Sequence, residues 1–248
     1  MDNERQQRYF DLGQNYFWLR GKYDFVRQYL VWYASLPEGA RLLDLGCGPG
    51  NMFATLSEFG TVYGTDLSLE ALRFGRSRGL RRLFIADPTA FPLGSPTFDL
   101  VVMIDVLEHI SDDDAALREL YRILKPGAVA VITVPAFQFL WGAHDVIYGH
   151  FRRYTRPELV RQLDASGFEV ITSTYFEMLF VLPMLAFRRL RSLFKATRGN
   201  DDFVPVPPAV NAILRRVIRW EAHLVRRWKP PFGVSLIAVV RKRRSDSA

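Results

Sequence analysis

The chain of 248 residues is long enough for one large α/β domain with its own core and a small appended subdomain. An apolar fraction of 49% excludes a disordered chain. A single cysteine, Cys47, excludes an internal disulfide and favours a reducing, cytoplasmic compartment. We expect no signal peptide, and the longest apolar run, residues 178–187, is too short to span a bilayer.

The net charge of +7 is concentrated in the C-terminal third. Residues 1–175 carry 18 Lys and Arg against 21 Asp and Glu, residues 176–230 carry 11 against 4, and residues 231–248 carry 4 against 1. Such a basic region fits anionic lipid head groups, nucleic acid or an acidic substrate, and a solvated basic face is the alternative.

The first predicted elements are a helical segment and a strand that runs into a glycine-rich turn. Residues 4–35 are predicted to be helical, and Phe25, Tyr29 and Trp32 recur at the spacing of a core-facing stripe. The strand at 41–45 is followed by glycines at 46, 48 and 50, which permit positive φ and close approach of a ligand. A helix predicted at 52–59 would point unpaired N–H groups at the same place.

The glycine spacing favours a nucleotide-like ligand of a particular kind. The dinucleotide fingerprint requires glycine at the sixth position from Gly46, where this chain has Asn51. No Lys-Ser or Lys-Thr follows, which excludes a P-loop. A glycine-rich turn without a ligand is the alternative.

Acidic residues end the next predicted strands. Asp66 ends a run at 61–66, where it would bind ribose hydroxyls or cap the helix at 69–75, and Ser68 competes for the capping role. Asp87 ends a third strand at 83–87, and the alternative is that Asp87-Pro88 starts a turn. The continuously apolar strand 98–105 is typical of a strand buried on both faces.

The remaining strands and helices are predicted from apolar runs and capping residues. Residues 111–114 are predicted to cap a helix at 115–124, and residues 125–127 to end it. Strands are predicted at 128–134, 168–175 and 233–240, with a helix at 157–166.

The pattern hxDxGxGxG at 42–50, together with FDLVVMIDVLEHISD and RILKPGAVAVITVP, resembles motifs I and IV to VI of the class I S-adenosylmethionine (SAM) dependent methyltransferases. Within that class the chain is similar to the type 11-like small-molecule enzymes. The resemblance covers residues 15–175 and resumes at 233–242. It implies a Rossmann-like α/β fold with a seven-stranded, mostly parallel sheet and an antiparallel last strand. The implied units are an N-terminal helical lid (1–36), a SAM-binding domain (37–175 and 231–244) and a helical insertion (176–230) between strands six and seven.

The resemblance also implies SAM as the cofactor and assigns its contacts. Asp66 would bind the ribose, and Asp87 would lie beside the adenine amino group. The full implied cofactor site consists of Asp44, Gly46, Gly48, Gly50, Asn51, Asp66, Leu67, Asp87, Ile104 and Asp105.

Residues 136–155 combine aromatic side chains with histidines and arginines and are predicted to bind the methyl acceptor, since ligands of open α/β sheets lie beyond the carboxyl ends of the strands. Histidine titrates near neutral pH, so the predicted bases are His144 and His150, then His109. The predicted acceptor contacts are Trp141, Arg152, Arg153 and Tyr154. Each of these residues has a structural alternative as a cap or a bridge.

Asp105, Glu108 and His109 resemble an E-x-x-E-H pattern that binds a divalent ion in some methyltransferases. Asp occupies the first position here, and no further ligand is identifiable from the sequence. We therefore predict no metal.

The insertion is far longer than a hairpin connection. It comprises an apolar piece (176–187), a basic piece (188–198), a proline-rich break (205–208) and a helix (209–228). Ile213, Val217, Trp220, Leu224 and Trp228 form one stripe of that helix, with arginines around it. Three interpretations remain open: contact with an anionic membrane, a lid over an apolar substrate, or a subdomain whose stripe packs on the sheet.

The sequence thus predicts a cytoplasmic enzyme that transfers a methyl group from SAM to an O or N atom of a small or lipid-linked acceptor. Contact of residues 176–230 with an anionic membrane stays one of the three open interpretations of the insertion. A nucleic-acid methyltransferase is disfavoured because the chain has no RNA-binding module and no amino-methylation motif after strand four. A non-catalytic SAM-binding adaptor is the other alternative.

Overall fold

The computed structural model describes residues 2–186 and 206–244 and is built around a seven-stranded sheet in the order β3-β2-β1-β4-β5-β7-β6. The sheet is parallel except for β7, which pairs antiparallel with both β5 and β6. This confirms the predicted Rossmann-like, mostly parallel sheet. The strands are β1 Arg41–Leu45, β2 Thr61–Thr65, β3 Leu83–Phe84, β4 Phe98–Ile104, β5 Leu124–Pro135, β6 Phe168–Phe176 and β7 Ser235–Lys242.

Helices cover both faces of the sheet, so its central strands are buried on two sides. Leu42 and Val102 belong to the core shared with α2, whereas Leu43 and Val101 belong to the core on the opposite face. The helices are α1 Asp2–Asn15, α2 Phe17–Tyr33, α3 Phe53–Leu56, α4 Leu69–Ser77, α5 Asp113–Ile123, α6 Ala143–Tyr148, α7 Arg156–Ala165 and α8 Pro208–Arg227.

The N-terminal helical segment is two helices, not one, and the break at Tyr16 has a tertiary cause. The Asn211 side chain on α8 accepts from the Phe17 backbone N–H (2.7 Å) and donates to the Asn15 carbonyl (2.7 Å). It therefore satisfies the backbone groups that the break leaves open. Of the predicted core stripe, Phe25 and Tyr29 are fully buried, and Trp32 is partly buried against the same core.

Two predicted elements are shorter than expected. Regular α-helical structure after the glycine turn is confined to α3, because Glu58 and Phe59 donate to carbonyls three residues earlier in tightened turns. The third strand comprises Leu83–Phe84 alone, and Asp87 instead forms an isolated bridge with Ala90.

The predicted helix of the insertion is confirmed as α8, but its buried face differs from the predicted stripe. Ile213, Trp220 and Trp228 are 57%, 61% and 49% exposed, so the interpretation in which this stripe packs on the sheet is wrong. The buried face packs against α2 instead and consists of Ile218, Glu221, Ala222 and Val225. Ile218 lies directly on Gly21, where a Cβ would stand 2.7 Å from the isoleucine Cδ1. The predicted basic piece at 188–198 lies outside the described residues.

No helix among residues 2–186 and 206–244 combines the length and apolar composition needed to cross a bilayer.

Candidate functional site

The glycine turn at the carboxyl end of β1 is held by backbone hydrogen bonds and by Asp66. Gly46 and Cys47 both donate their N–H groups to the Thr65 carbonyl, at 2.8 and 2.9 Å. The Asp66 carboxylate accepts from the backbone N–H groups of Gly48 and Ser68, each at 2.8 Å. The carboxylate thereby ties the turn to the end of β2, and the N-cap of α4 is Ser68.

A cavity of about 310 Å³, the donor cavity, lies at this turn. Most of the predicted cofactor residues line it: Asp44, Gly46, Gly48, Asn51, Asp66, Leu67, Ile104 and Asp105.

Two predicted cofactor residues do not line the donor cavity. A Cβ at Gly50 would stand 2.2 Å from a methyl group of Leu80, so this glycine serves packing. The exposed Asp87 carboxylate accepts from the N–H and hydroxyl of Thr89, at 2.8 and 2.7 Å, which is the turn foreseen as its alternative. The neighbours of Asp87, Ala86 and Pro88, line the cavity in its place.

The donor cavity contains buried polar atoms that suit a nucleoside with an ammonium group. Asp44 Oδ2 and Thr65 Oγ1 are buried and have no hydrogen-bond partner among the described residues. Burial and the nearby Asp66 raise the pKa of Asp44 to about 7. Because unpaired buried polar atoms are costly, ligand groups that satisfied them would be bound favourably. SAM carries such groups, so the residues present fit this cofactor.

The N-terminal helices supply the side of the donor cavity that the motifs did not reveal. Tyr9 and Tyr23 line the cavity. Gly13 packs on the Asn51 amide, since a Cβ there would stand 2.4 Å from its nearest atoms, and Gln14 donates to Asn51 Oδ1 at 3.2 Å. The sequence showed aromatic residues here but no feature that separated ligand-facing rings from core rings.

An ion pair joins α2 to the carboxyl end of β4. The Asp105 carboxylate binds the Lys22 ammonium and accepts from the Thr133 hydroxyl at 2.9 Å. Burial by itself would raise the pKa of Asp105 and lower that of Lys22. The attraction between the two charges outweighs burial, so the pKa of Asp105 is lowered and that of Lys22 is raised. Asp105 has a positive φ of 51°, which turns its backbone sharply after the strand.

A second cavity of about 570 Å³, the acceptor cavity, adjoins the donor cavity. The two share Tyr9, Asp105 and His109. The polar side chains of the acceptor cavity come mainly from the strand ends and the segment after β5. Its apolar side chains come from α2, the segment after β6 and α8, and include Phe17, Trp18, Leu179, Phe180, Met184, Leu214 and Val217.

The three histidines predicted as bases come together at the acceptor cavity. The ring centroid of His150 lies 4.6 Å from that of His109 and 5.8 Å from that of His144. His150 Nδ1 bonds to Asp145 Oδ1 at 2.8 Å, and Arg153 grips both oxygens of Asp145 at 2.8 and 2.9 Å. Burial and the neighbouring His150 lower the pKa of His109 to about 4. Asp145 anchors this cluster and was missed, because nothing in its local sequence distinguishes it from a helix-starting acid.

Of the predicted acceptor contacts, only Arg153 lines the cavity. Arg152 pairs with Asp113 at 3.0 Å, and the Tyr154 hydroxyl donates to the same buried carboxylate at 2.9 Å. These two side chains hold the segment after β5 on the start of α5. The structure also leaves Trp141 outside the residues that line either cavity.

The model of a family described as "Methyltransferase domain" matches residues 16–173 of the chain. The chain belongs to the class I SAM-dependent methyltransferases.

Curated relatives match parts of the chain. A Methanocaldococcus jannaschii protein of uncharacterised function is 31% identical over 145 residues, which are 58% of this chain and 60% of that protein. The ubiquinone/menaquinone biosynthesis C-methyltransferase UbiE of Xanthomonas campestris is 36% identical over 115 residues (42% of this chain, 46% of that protein). The malonyl-[acyl-carrier protein] O-methyltransferase of Salmonella typhimurium is 36% identical over 114 residues (43% and 45%). The chain thus spans about half the length of the curated relatives it matches.

Solved structures share the fold of this methyltransferase at low sequence identity. A SAM-dependent methyltransferase of Archaeoglobus fulgidus has a TM-score of 0.58 and 19% identity, covering 89% of this chain and 94% of that chain. The phosphoethanolamine N-methyltransferase 2 of Haemonchus contortus, in complex with SAM, has a TM-score of 0.58 and 20% identity (88% and 52%). The [4+2]-cyclase SpnF has a TM-score of 0.59 and 22% identity (90% and 81%). Because a cyclase shares the fold, the reaction must be argued from the site.

Proposed function

We propose that this methyltransferase transfers a methyl group from SAM in the donor cavity to an O or N atom of a small or lipid-linked acceptor in the acceptor cavity. The junction of the two cavities at Tyr9, Asp105 and His109 carries this proposal. A sulfonium on one side and an acceptor atom on the other would meet there. Alignment of two bound reactants is the main demand that methyl transfer makes of a protein.

In the proposed reaction an acceptor lone pair forms a bond to the methyl carbon while the carbon–sulfur bond breaks. The electron pair of the broken bond stays on sulfur and neutralises the sulfonium. A neutral O–H or N–H acceptor also loses a proton, so acceptor activation falls to the cluster of His109, His144 and His150. Asp145 fixes the orientation of the His150 ring through their 2.8 Å hydrogen bond.

We assign SAM binding to the predicted cofactor residues that line the donor cavity, with the addition of Tyr9 and Tyr23. Asp44 would serve the amino group and Asp66 the ribose, whose hydroxyls would share this carboxylate with two backbone N–H groups. Asp87 and Gly50 are left out of this assignment.

The lining of the acceptor cavity supports an acceptor with an apolar portion. Aromatic and aliphatic side chains of α2, α8 and residues 179–184 form most of its wall, and the charged side chains come from α2, from the end of β4 with the turn after it, and from the segment after β5. The named relatives differ in acceptor and atom, one being a C-methyltransferase of quinone biosynthesis and the other an O-methyltransferase of a malonyl carrier protein. Both relatives support methyl transfer. Because their acceptors differ, the proposed class of acceptor rests on the lining of the acceptor cavity.

We further propose that the outer face of α8 contacts an anionic membrane that supplies the acceptor. Ile213 and Trp220 are exposed on this helix and Trp228 is exposed at its C-cap, with the exposed Arg216 and Arg219 near Trp220 in the sequence. Exposed tryptophans beside arginines suit an interface at which apolar rings enter the lipid and cations meet head groups.

Radiolabelled methyl-SAM incubated with cell extract tests the proposed reaction. After phase partition, label in an organic-soluble or small aqueous product supports the proposal. Label in nucleic acid would establish the alternative enzyme, and bound but unconsumed SAM would establish an adaptor. The His150→Ala variant, which should still bind SAM, is the control for product formation by other proteins.

Flotation with vesicles tests the membrane contact separately. We expect the protein to rise with anionic vesicles at low salt and to stay below neutral ones. The Trp220→Ser, Trp228→Ser double variant should lose flotation while its unfolding midpoint stays close to that of the wild type. A wild-type protein that remains at the bottom of the anionic gradient rules out this contact.

A further inference from the structure

The side chains of Glu108, His109 and His150 converge at one wall of the acceptor cavity. One carboxylate oxygen of Glu108 and one ring nitrogen of each histidine lie within 4.8 Å of one another. Glu108 and His109 come from the single helical turn after β4, and His150 follows α6. The Phe151 N–H donates to the Glu108 carbonyl at 2.8 Å, which fixes the two segments side by side.

The Glu108 carboxylate has no partner among the described residues. Its side chain is fully buried, and neither of its oxygens accepts a hydrogen bond. The neighbouring acids are already paired, Asp105 with Lys22 and Asp145 with Arg153. A buried, unpaired carboxylate is costly unless a cation or a proton meets it.

Both histidine rings have a hydrogen bond of the kind that holds metal-ligating histidines in place. His150 uses Nδ1 to bond Asp145, so its Nε2 is the nitrogen left for a ligand. The His109 ring has a hydrogen bond with the backbone of Tyr148. Metal-bound histidines almost always bond a carboxylate or a backbone carbonyl through their second nitrogen, which fixes the tautomer and the ring plane.

We propose that Glu108, His109 and His150 bind a divalent first-row transition cation at the acceptor cavity. Two imidazoles and one carboxylate suit such ions and leave coordination positions open. Ligands about 2.1 Å from a tetrahedral ion lie about 3.4 Å apart, so side-chain shifts of about one ångström would close the site. This proposal differs from the prediction of no metal, because the fold brings His150 next to Glu108 and His109 and the sequence showed no further ligand.

The proposed cation deepens the proposed function and rests on it only for its role. With His109 and His150 as ligands, the cation would take over the acceptor activation assigned above to the histidine cluster. An open coordination position facing the acceptor cavity would receive an acceptor oxygen. The cation would lower the pKa of such a hydroxyl, whose proton would be lost to solvent, and the resulting oxyanion would bond to the methyl carbon as the carbon–sulfur bond breaks. This favours an oxygen acceptor over a nitrogen acceptor.

Metal titration of the tag-free protein of residues 1–248, stripped with chelator and kept free of SAM and acceptor, tests the proposal. We expect one equivalent of Zn²⁺ per chain and visible absorption when Co²⁺ replaces it. Glu108→Gln, His109→Ala and His150→Ala should each weaken binding at least tenfold, and Asp145→Asn by about 10- to 100-fold through the His150 ring. His223→Ala is the matched control, because His223 lies on α8 against Trp32, and it should bind as the wild type does.

The unfolding midpoint of each variant shows whether a loss of metal binding comes from misfolding. The absence of saturable Zn²⁺ and Co²⁺ binding overturns the proposal, as does a folded Glu108→Gln variant that binds like the wild type. Methyl transfer by metal-free protein would refute the role of the cation and leave the proposed function standing. Stoichiometric metal binding without methyl transfer would refute the function and leave the site standing.

Discussion

Removal of the Lys22 ammonium is the most direct test of how α2 is attached to the site. Lys22 and Asp105 form an ion pair whose side chains are 6% and 29% exposed. Lys22→Met keeps the aliphatic bulk and leaves the Asp105 carboxylate with the Thr133 hydroxyl as its remaining polar contact among the described side chains. Breaking a fully buried pair costs about 3–5 kcal/mol, and the partial exposure of Asp105 reduces this to roughly 2–3 kcal/mol.

The double variant Lys22→Met, Asp105→Asn should recover part of this loss. Once the carboxylate becomes a neutral amide, no uncompensated charge remains beside the missing ammonium. We expect a coupling energy of about 1–2 kcal/mol between the two substitutions. Urea unfolding of the four proteins at pH 7, without SAM, measures it.

A matched ion pair at the surface calibrates the measurement. Lys125 binds Asp99 at 2.8 Å, with the lysine 41% exposed, so Lys125→Met should cost less than about 1 kcal/mol. The reasoning fails if Lys22→Met costs no more than Lys125→Met, or if the Lys22 and Asp105 losses simply add. Because Asp105 lines the donor cavity, Lys22→Met should also weaken SAM binding, which calorimetric titration can follow.

Two further predictions concern the glycine turn and a buried acid. Gly46→Ala should abolish detectable SAM binding, because the φ of Gly46 is +75° and the new Cβ would stand 2.3 Å from a Val106 methyl group. Gly48→Ala should bind SAM more weakly than the wild type without losing it, because the φ of Gly48 is +51° but no atom would lie closer than 3.7 Å to the new Cβ. Equal SAM affinities of the two variants in a calorimetric titration would contradict this reasoning. Burial raises the pKa of Glu177 to about 7 from the usual pKa of 4.5 for a glutamate, so the native state keeps its proton in this pH range while the unfolded state loses it. The wild type therefore loses up to about 3 kcal/mol of stability as the pH rises from 4.5 to 7. The urea unfolding midpoint of Glu177→Gln should therefore equal that of the wild type near pH 4.5 and lie above it beyond pH 7. If the midpoints of both proteins change with pH in parallel, the Glu177 carboxyl is not the cause of the pH dependence.

Local chemistry made much of the donor site predictable. Strand β1 and the positive-φ glycines at 46 and 48 lie within one short stretch, and Asp66 follows the next strand at the same edge of the sheet. Likewise, Asp112 caps α5 through a 2.9 Å bond to the Ala115 N–H, an interaction between near neighbours. Such features depend on residues a few positions apart, so their pattern is visible in the chain itself.

The arrangement of the acceptor cavity could not be predicted from the sequence, because it depends on contacts between distant segments. All three histidines were visible as reactive residues, but their convergence required α6 to lie against the turn after β4. Arg152 and Tyr154 looked equally suited to a ligand until the fold brought Asp113 to them. No local rule separates an arginine that binds a substrate from one that binds a buried aspartate.

The sequence by itself determined the strand-and-turn framework of the SAM site and the existence of α8, because both rest on short-range periodicity, capping and glycine conformation. The family was indicated by the resemblance of its motifs to known methyltransferases. Only the tertiary structure decided which face of α8 is buried, since both faces carry apolar residues and the choice depends on Ile218 fitting over Gly21. It likewise decided that Glu108 is buried beside two histidines, with no hydrogen-bond partner for its carboxylate in the described part of the chain. The physical reason is common to both, because burial and pairing are properties of segments far apart in sequence that meet only in the folded chain.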